Sequence, residues 1–122
     1  MDTNRLLSHI YYVACEQLVR DILKDPKYSD PKRLEPFGFK GNSQFDEDGI
    51  IQEIFKRIGT TDKKFIEFGA GGAEFENNTI YLVKKGWKGL WFEGDPKKCD
   101  FLKKSFAGPF ADKRLQISSE FV

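Results

Sequence analysis

The sequence predicts an α/β fold, a partial doubly wound parallel sheet of about three strands with flanking helices, preceded by an N-terminal helix. Three observations carry this. An apolar run, Phe65-Ile66-Glu67-Phe68, breaks into Gly69-Ala70-Gly71-Gly72-Ala73 and passes on into a helical pattern. A second run, Trp87-Lys88-Gly89-Leu90-Trp91-Phe92, ends in Glu93, and a third, from Arg114 to Val122, follows another helical stretch. Strands that alternate with helices pair in parallel, because each helix carries the chain back across the sheet.

In chain order, residues 4 to 24 come first. Leu6, Leu7, Ile10, Val13, Ala14, Leu18, Ile22 and Leu23 recur at steps of three and four, which predicts an amphipathic helix ending before Asp25-Pro26. His9 and Cys15 stand on different sides of such a helix and form no thiol–imidazole pair, so His9 is expected at the surface. Pro26, Pro31, Pro36, Gly38 and Gly41 then predict an extended linker over 25–42. The organisation expected is a helix and linker over residues 1–40 and an α/β unit over 41–122.

Ile50, Ile51, Ile54, Phe55 and Ile58 predict a second helix, with Ser43 and Asp46 resembling a capping box and Gly59 closing it. Asp46, Asp48 and Gly49 hint at a calcium loop. With Gly49 at its sixth position, however, the first and twelfth positions are Gln44 and Phe55, so the ligand set is missing and no metal site is expected. The first strand is read as Lys63 to Phe68, a short helix as Thr79 to Lys85 closed by Gly86, and the second strand as Trp87 to Phe92. Asp95-Pro96 starts another helix as N-cap and first residue, with Cys99, Leu102 and Phe106 on its apolar face and Lys97, Lys98, Lys103 and Lys104 facing water. Gly108-Pro109 is read as a turn.

Composition narrows the function classes. The chain has 122 residues with 39% hydrophobic and 15% aromatic content, including 12 Phe, which suits a single packed core rather than disorder. Lys and Arg number 20 against 19 Asp and Glu, a net charge of +1 that favours neither nucleic acid nor an anionic membrane. Cys15 and Cys99 match no metal or redox spacing and are read as reduced thiols of a cytoplasmic protein. No apolar run approaches the ~20 residues that span a bilayer.

The glycine loop is where chemistry is expected. A strand, a glycine-rich turn and a helix begin a nucleotide-binding unit, since glycines let backbone approach a ligand closely. The dinucleotide pattern would place a third glycine where this chain has Glu74. Glu67, Glu74 and Glu76 flank the loop, and no lysine or arginine lies between Lys64 and Lys84. At an effective dielectric near 20, unit charges about 4 Å apart interact by ~4 kcal/mol, so these carboxylates oppose a pyrophosphate. They suit a cation, such as the ammonium and sulfonium of S-adenosylmethionine. Glu93 follows Gly69 at nearly the ~20-residue offset at which a strand-end carboxylate meets ribose hydroxyls.

The run SQFDEDGII from Ser43, FIEFGAG from Phe65, NNT from Asn77 and GWKGLWFEGDP from Gly86 resembles the N-terminal half of FkbM-type methyltransferases, over about residues 40 to 122. These are S-adenosylmethionine-dependent O-methyltransferases with a class I Rossmann-like domain. The resemblance implies that Glu67, Gly69 and Gly71, with Ala70 between them, hold the methionine end of the cofactor. It implies ribose binding by Glu93, with Gln44, Asp48, Asn78 and Thr79 near the cofactor mouth. The implied acceptor is a hydroxyl of a small molecule or glycan. Gly72-Ala73 departs from the acidic residue and glycine more usual there, and Ala73 adds a Cβ where backbone approaches the ligand.

A βα repeat takes ~30 residues, so a full sheet would need roughly 180 to 200. The expectation is therefore a truncated or partial chain carrying half a cofactor site, with no identifiable catalytic base. The first strand would then lack a partner on one side, and unpaired edges invite self-association. Two other classes remain open: a dinucleotide-binding oxidoreductase fragment, and a non-enzymatic interaction module worked by the N-terminal helix.

Overall fold

The computed structural model describes residues 2–71 and 77–122. The chain divides into two compact units, Met1–Pro36 and Phe37–Val122. The first holds α1 (Thr3–Ile22), capped by the Asp2 carboxylate, which accepts the Asn4 N–H at 3.2 Å. No residue of α1 is buried, and His9 is exposed as expected. The segment after it is less extended than its prolines suggest. Pro26–Ser29 forms a 3-10 turn, with Asp25 accepting the Lys27 N–H, and Glu35–Phe37 forms another. Proline at the first position of a helical turn lacks only an N–H that had no partner there.

The second unit runs α2 (Glu47–Ile58), β1 (Lys64–Phe68), α3 (Ile80–Lys84), β2 (Lys88–Phe92), α4 (Pro96–Ser105), α5 (Ala107–Ala111) and β3 (Leu115–Ser118). The three strands form a parallel sheet in the order β1-β2-β3, so the α/β fold class holds. Register pairs Lys64 with Lys88, Ile66 with Leu90 and Phe68 with Phe92, and continues from Leu90 to Gln116. Because side chains alternate across a strand, these residues share one face, while Phe65, Glu67, Trp91, Leu115 and Ile117 share the other.

That second face carries the core. Trp91 and Leu115 pack with Ile80 and Val83 of α3, Leu102 of α4 and Ala70, and Phe65, Phe106 and Ile117 close around them. Phe106 meets the Trp91 ring edge-on at 5.0 Å. Gly89, paired with Phe65, has no side chain because the Phe65 ring lies where its Cβ would be. The opposite face is open: Ile66 and Phe68 are 61% and 60% exposed. A parallel sheet is ordinarily covered on both faces.

Several boundaries differ from the sequence reading. The third strand stops at Ser118 rather than Val122, leaving Phe121 and Val122 exposed. Gly108-Pro109 lies inside the short helix α5 rather than in a turn, since Pro109 falls in the first turn, where an absent N–H breaks no helical bond. Ser43 is not the N-cap of α2. Asp46 occupies that position without a side-chain bond, and the Ser43 hydroxyl reaches in from upstream to accept the Asp48 N–H at 3.3 Å. Gly59 does close α2, with φ of 78° and its N–H on the Phe55 carbonyl at 2.8 Å. Lysines also adopt the left-handed conformation before two strands, Lys63 at φ 49° in the same α2–β1 connection and Lys113 at φ 62° between α5 and β3.

Candidate functional site

The carboxyl ends of β1 and β2 gather most of the sequence-predicted site. Leaving β1, the chain turns through Gly69 at φ 67° and Gly71 at φ 71°, a conformation glycine adopts without steric cost. The N–H groups of Gly69 and Ala70 both donate to the Phe92 carbonyl, at 2.8 and 3.2 Å, which fastens the loop to the end of β2. Gly71 N–H then donates to Glu93 Oε2 at 2.8 Å, and Asp95 N–H to Glu93 Oε1 at 3.0 Å. The Glu93 carboxylate, only 8% exposed, thus stands directly beside the glycine loop and ties it to the start of α4. Each of its oxygens keeps acceptor capacity, since a carboxylate offers about four lone-pair sites.

Glu67 has a different job from its neighbour. Its carboxylate accepts the Asn78 N–H at 2.9 Å, the Thr79 N–H at 3.1 Å and the Thr79 hydroxyl. Those are donors that the start of α3 would otherwise leave without partners. Thr79 Oγ1 in turn accepts the Trp91 indole N–H at 2.7 Å. Asn77, fully buried, completes the arrangement. Its Oδ1 accepts N–H groups of Thr79 and Ile80 at 2.8 and 3.0 Å, and its Nδ2 donates to the Ala70 carbonyl at 3.2 Å. The Asn-Asn-Thr run is therefore a clamp that holds the glycine loop against α3 and the core.

Asp48 forms a third cluster. Buried to 1% exposure, its Oδ2 accepts N–H groups of Gly41, Asn42 and Ser43, at 2.8 Å and 2.9 Å for the first and last. Its Oδ1 is buried with no partner. Gly49, next along, accepts no side chain: a Cβ would collide with the backbone of Phe37 and Phe39, and its N–H donates to the Phe39 carbonyl at 3.1 Å. Phe39 meets Tyr81 of α3 edge-on at 5.5 Å. Asp48 and Gly49 thus hold the strap over residues 37–43 to α2, while Gln44 is exposed and shares no bond with these groups.

The structure brings together Gly69, Ala70, Gly71 and Glu93, and through Asn77 joins them to Glu67, Asn78 and Thr79. Asp48 and Gln44 are not joined to them by any hydrogen bond among the described residues. Glu74, Glu76 and the Gly72-Ala73 departure lie outside the described residues. No protein-family model, no curated protein and no solved structure matches the chain.

Sequence reasoning passed over Asn77 and Trp91 as site residues. The signal for Asn77 was present, since Asn two residues before a helix commonly accepts from its first N–H groups. Trp91 gave none, because its indole N–H finds Thr79 only through the fold. Cys99, 2% exposed, donates its thiol to the Glu93 carbonyl at 3.0 Å. Burial, and then the Glu93 charge, push its pKa up, so it stays a protonated thiol and is a poor nucleophile. Among the described residues no group of His, Cys, Asp and Glu is placed to hold a metal ion. No helix among them is long and apolar enough to cross a membrane.

Proposed function

We propose that the chain carries the amino-terminal half of an S-adenosylmethionine site of a methyltransferase acting on a hydroxyl, of the FkbM type its motifs resemble. One observation supports this above the others: the Gly71 N–H lies on the Glu93 carboxylate, so a bare-backbone loop and a strand-end acid, 22 residues apart, stand side by side at the carboxyl ends of the strands. In open α/β sheets ligands bind at the carboxyl ends of the strands, beside such loops. The free lone pairs of Glu93 accept the two ribose hydroxyls. Gly69, Ala70 and Gly71 give the amino-acid end of the cofactor close backbone approach, and Glu67 adds negative charge beneath it while holding the start of α3.

When bound, the cofactor supplies an electrophilic methyl group. The contribution of these residues is to hold and orient it, which for methyl transfer is the main requirement. No described residue is assigned as general base, and the acceptor hydroxyl belongs to a small molecule or glycan. The two free thiols, Cys15 and Cys99, suit a reducing, cytoplasmic compartment. The outer edge of β1, unpaired among the described residues, is a place for self-association.

Isothermal titration of the chain with S-adenosylmethionine and with NAD tests the reading. Binding of the first, lost in Glu93→Ala and weakened in Gly71→Val, is the expected result. A preference for NAD, or uptake of the methyl donor indifferent to both substitutions, overturns it.

A further inference from the structure

After β3 the chain turns back toward the end of β2. The Glu93 N–H donates to the Ser118 carbonyl at 2.9 Å, so residues 119–122 begin beside the acid that ties down the glycine loop. The Phe121 ring then lies against Gly94, the residue after that acid, and a Cβ on Gly94 would collide with it. Gly94 does not hold a left-handed backbone, so it is the space taken by the ring, rather than chain conformation, that calls for glycine there. Apart from this seat Phe121 is in water, 88% exposed. Phe92, just before Glu93, is already stacked on Phe68 at 5.1 Å, whereas Phe121 meets no other ring among the described residues. An exposed ring is ordinary by itself. A ring seated on a glycine next to a buried carboxylate with spare lone pairs is a more specific arrangement.

We propose that Phe121, seated by Gly94, is the residue on which the base of the bound nucleoside stacks, and that it sets the preference for a ligand carrying such a base. The proposal rests on the reading that Glu93 grips a ribose. In a nucleoside the base hangs from the sugar carbon next to the one bearing the 2′-hydroxyl, so a ribose on Glu93 brings its base to the groups flanking that acid. Two of those groups, the N–H of Gly71 and of Asp95, are already spent on the carboxylate itself. Phe121 is the neighbour with free π surface. Stacking a base on it removes apolar surface of both from water and adds the attraction between rings. The absence of a side chain at position 94 is what lets the ring come near enough to the acid for one nucleoside to touch both. Sugar and base are then read by different chemistry, the first by hydrogen bonds to a carboxylate and the second by shape, which is tolerant of base identity.

The test is isothermal titration of the full chain with S-adenosylmethionine, adenosine and NAD. Phe121→Ala is expected to weaken adenosine and the methyl donor at least about fivefold, with the urea midpoint unchanged because the side chain is exposed. Phe121→Trp keeps a ring and is expected to keep adenosine binding. Gly94→Ala pushes the ring off its seat and should weaken adenosine as well, yet add no further loss in the Phe121→Ala background. That coupling separates a displaced ring from local damage at position 94. Parental adenosine affinity in Phe121→Ala, or losses that simply add in the double variant, overturns the stacking role even where the methyl donor binds. Failure of the methyl-donor reading looks different: the parent prefers NAD while Phe121→Ala still weakens adenosine and NAD alike, which upholds the stacking role. Uptake of none of the three by the parent overturns both.

Discussion

Removing a single hydroxyl from Thr79 interrogates the clamp beneath the glycine loop. In Thr79→Val the side chain keeps its shape, but the Trp91 indole N–H, on a residue with 0% exposure, loses its acceptor at 2.7 Å. An unsatisfied buried donor costs ~1–3 kcal/mol, and a lost hydrogen bond to a carboxylate, here that of Glu67, about 1.5–3 kcal/mol. The Thr79 backbone N–H bonds to Glu67 and Asn77 remain, so about 3 kcal/mol in all is expected. With a urea m-value of about 1–3 kcal/mol/M, the unfolding midpoint should fall by roughly 1–3 M at unchanged m. Urea titration followed by far-ultraviolet circular dichroism measures this, and Thr79→Ser, which keeps the hydroxyl, should stay within about 1 kcal/mol of the parent. A valine variant as stable as the parent would refute the clamp and reduce the Asn-Asn-Thr run to an ordinary helix start.

Three other outcomes follow from packing, backbone conformation and titration. Gly49→Ala should destabilise by at least about 2 kcal/mol, because the new Cβ meets the Phe37 and Phe39 backbone; helix propensity alone would have it stabilise by ~1 kcal/mol, so thermal melts decide by sign. Lys63→Gly and Lys113→Gly should each leave stability unchanged or raise it by up to ~1 kcal/mol by relieving left-handed backbone, and a clear loss in denaturant titration would show that a lysine side chain holds the fold. The raised Cys99 pKa makes the folded state resist thiol ionisation that the unfolded chain accepts near pH ~8.5, so stability should fall as the pH climbs past that value. Cys99→Val should flatten that alkaline decline relative to the parent, and iodoacetamide near neutral pH should label Cys15 well before Cys99.

What could be read from the residues followed from local chemistry. Apolar runs bounded by glycine located β1 and β2, and Asp95-Pro96 marked the start of α4, with the Asp95 carboxylate on the Lys97 N–H at 2.9 Å. The proximity of Gly71 to Glu93 was legible because a βα repeat returns the chain to the adjacent strand after a nearly fixed length. The end of β3 was not legible. Phe121 and Val122 have strand-like character, but pairing with β2 runs out at Ser118 opposite Phe92. Ser43 misled for a related reason: its sequence suits an N-cap, yet three consecutive N–H groups converging on Asp48 pull it out of line with α2. Glu67 was read through its charge toward a ligand. Its bonds to Asn78 and Thr79 depend on how far α3 begins from the tip of β1, which spacing alone does not fix.

The carboxylate of Asp48 turns a stretch of irregular chain into something that should exchange its amide hydrogens like an interior element. Gly41 is exposed and Asn42 only half covered, yet their protons point into the protein at an acceptor fixed in the first turn of α2. Deuterium uptake there should track the fraying of that helix instead of the solvent accessibility of the loop.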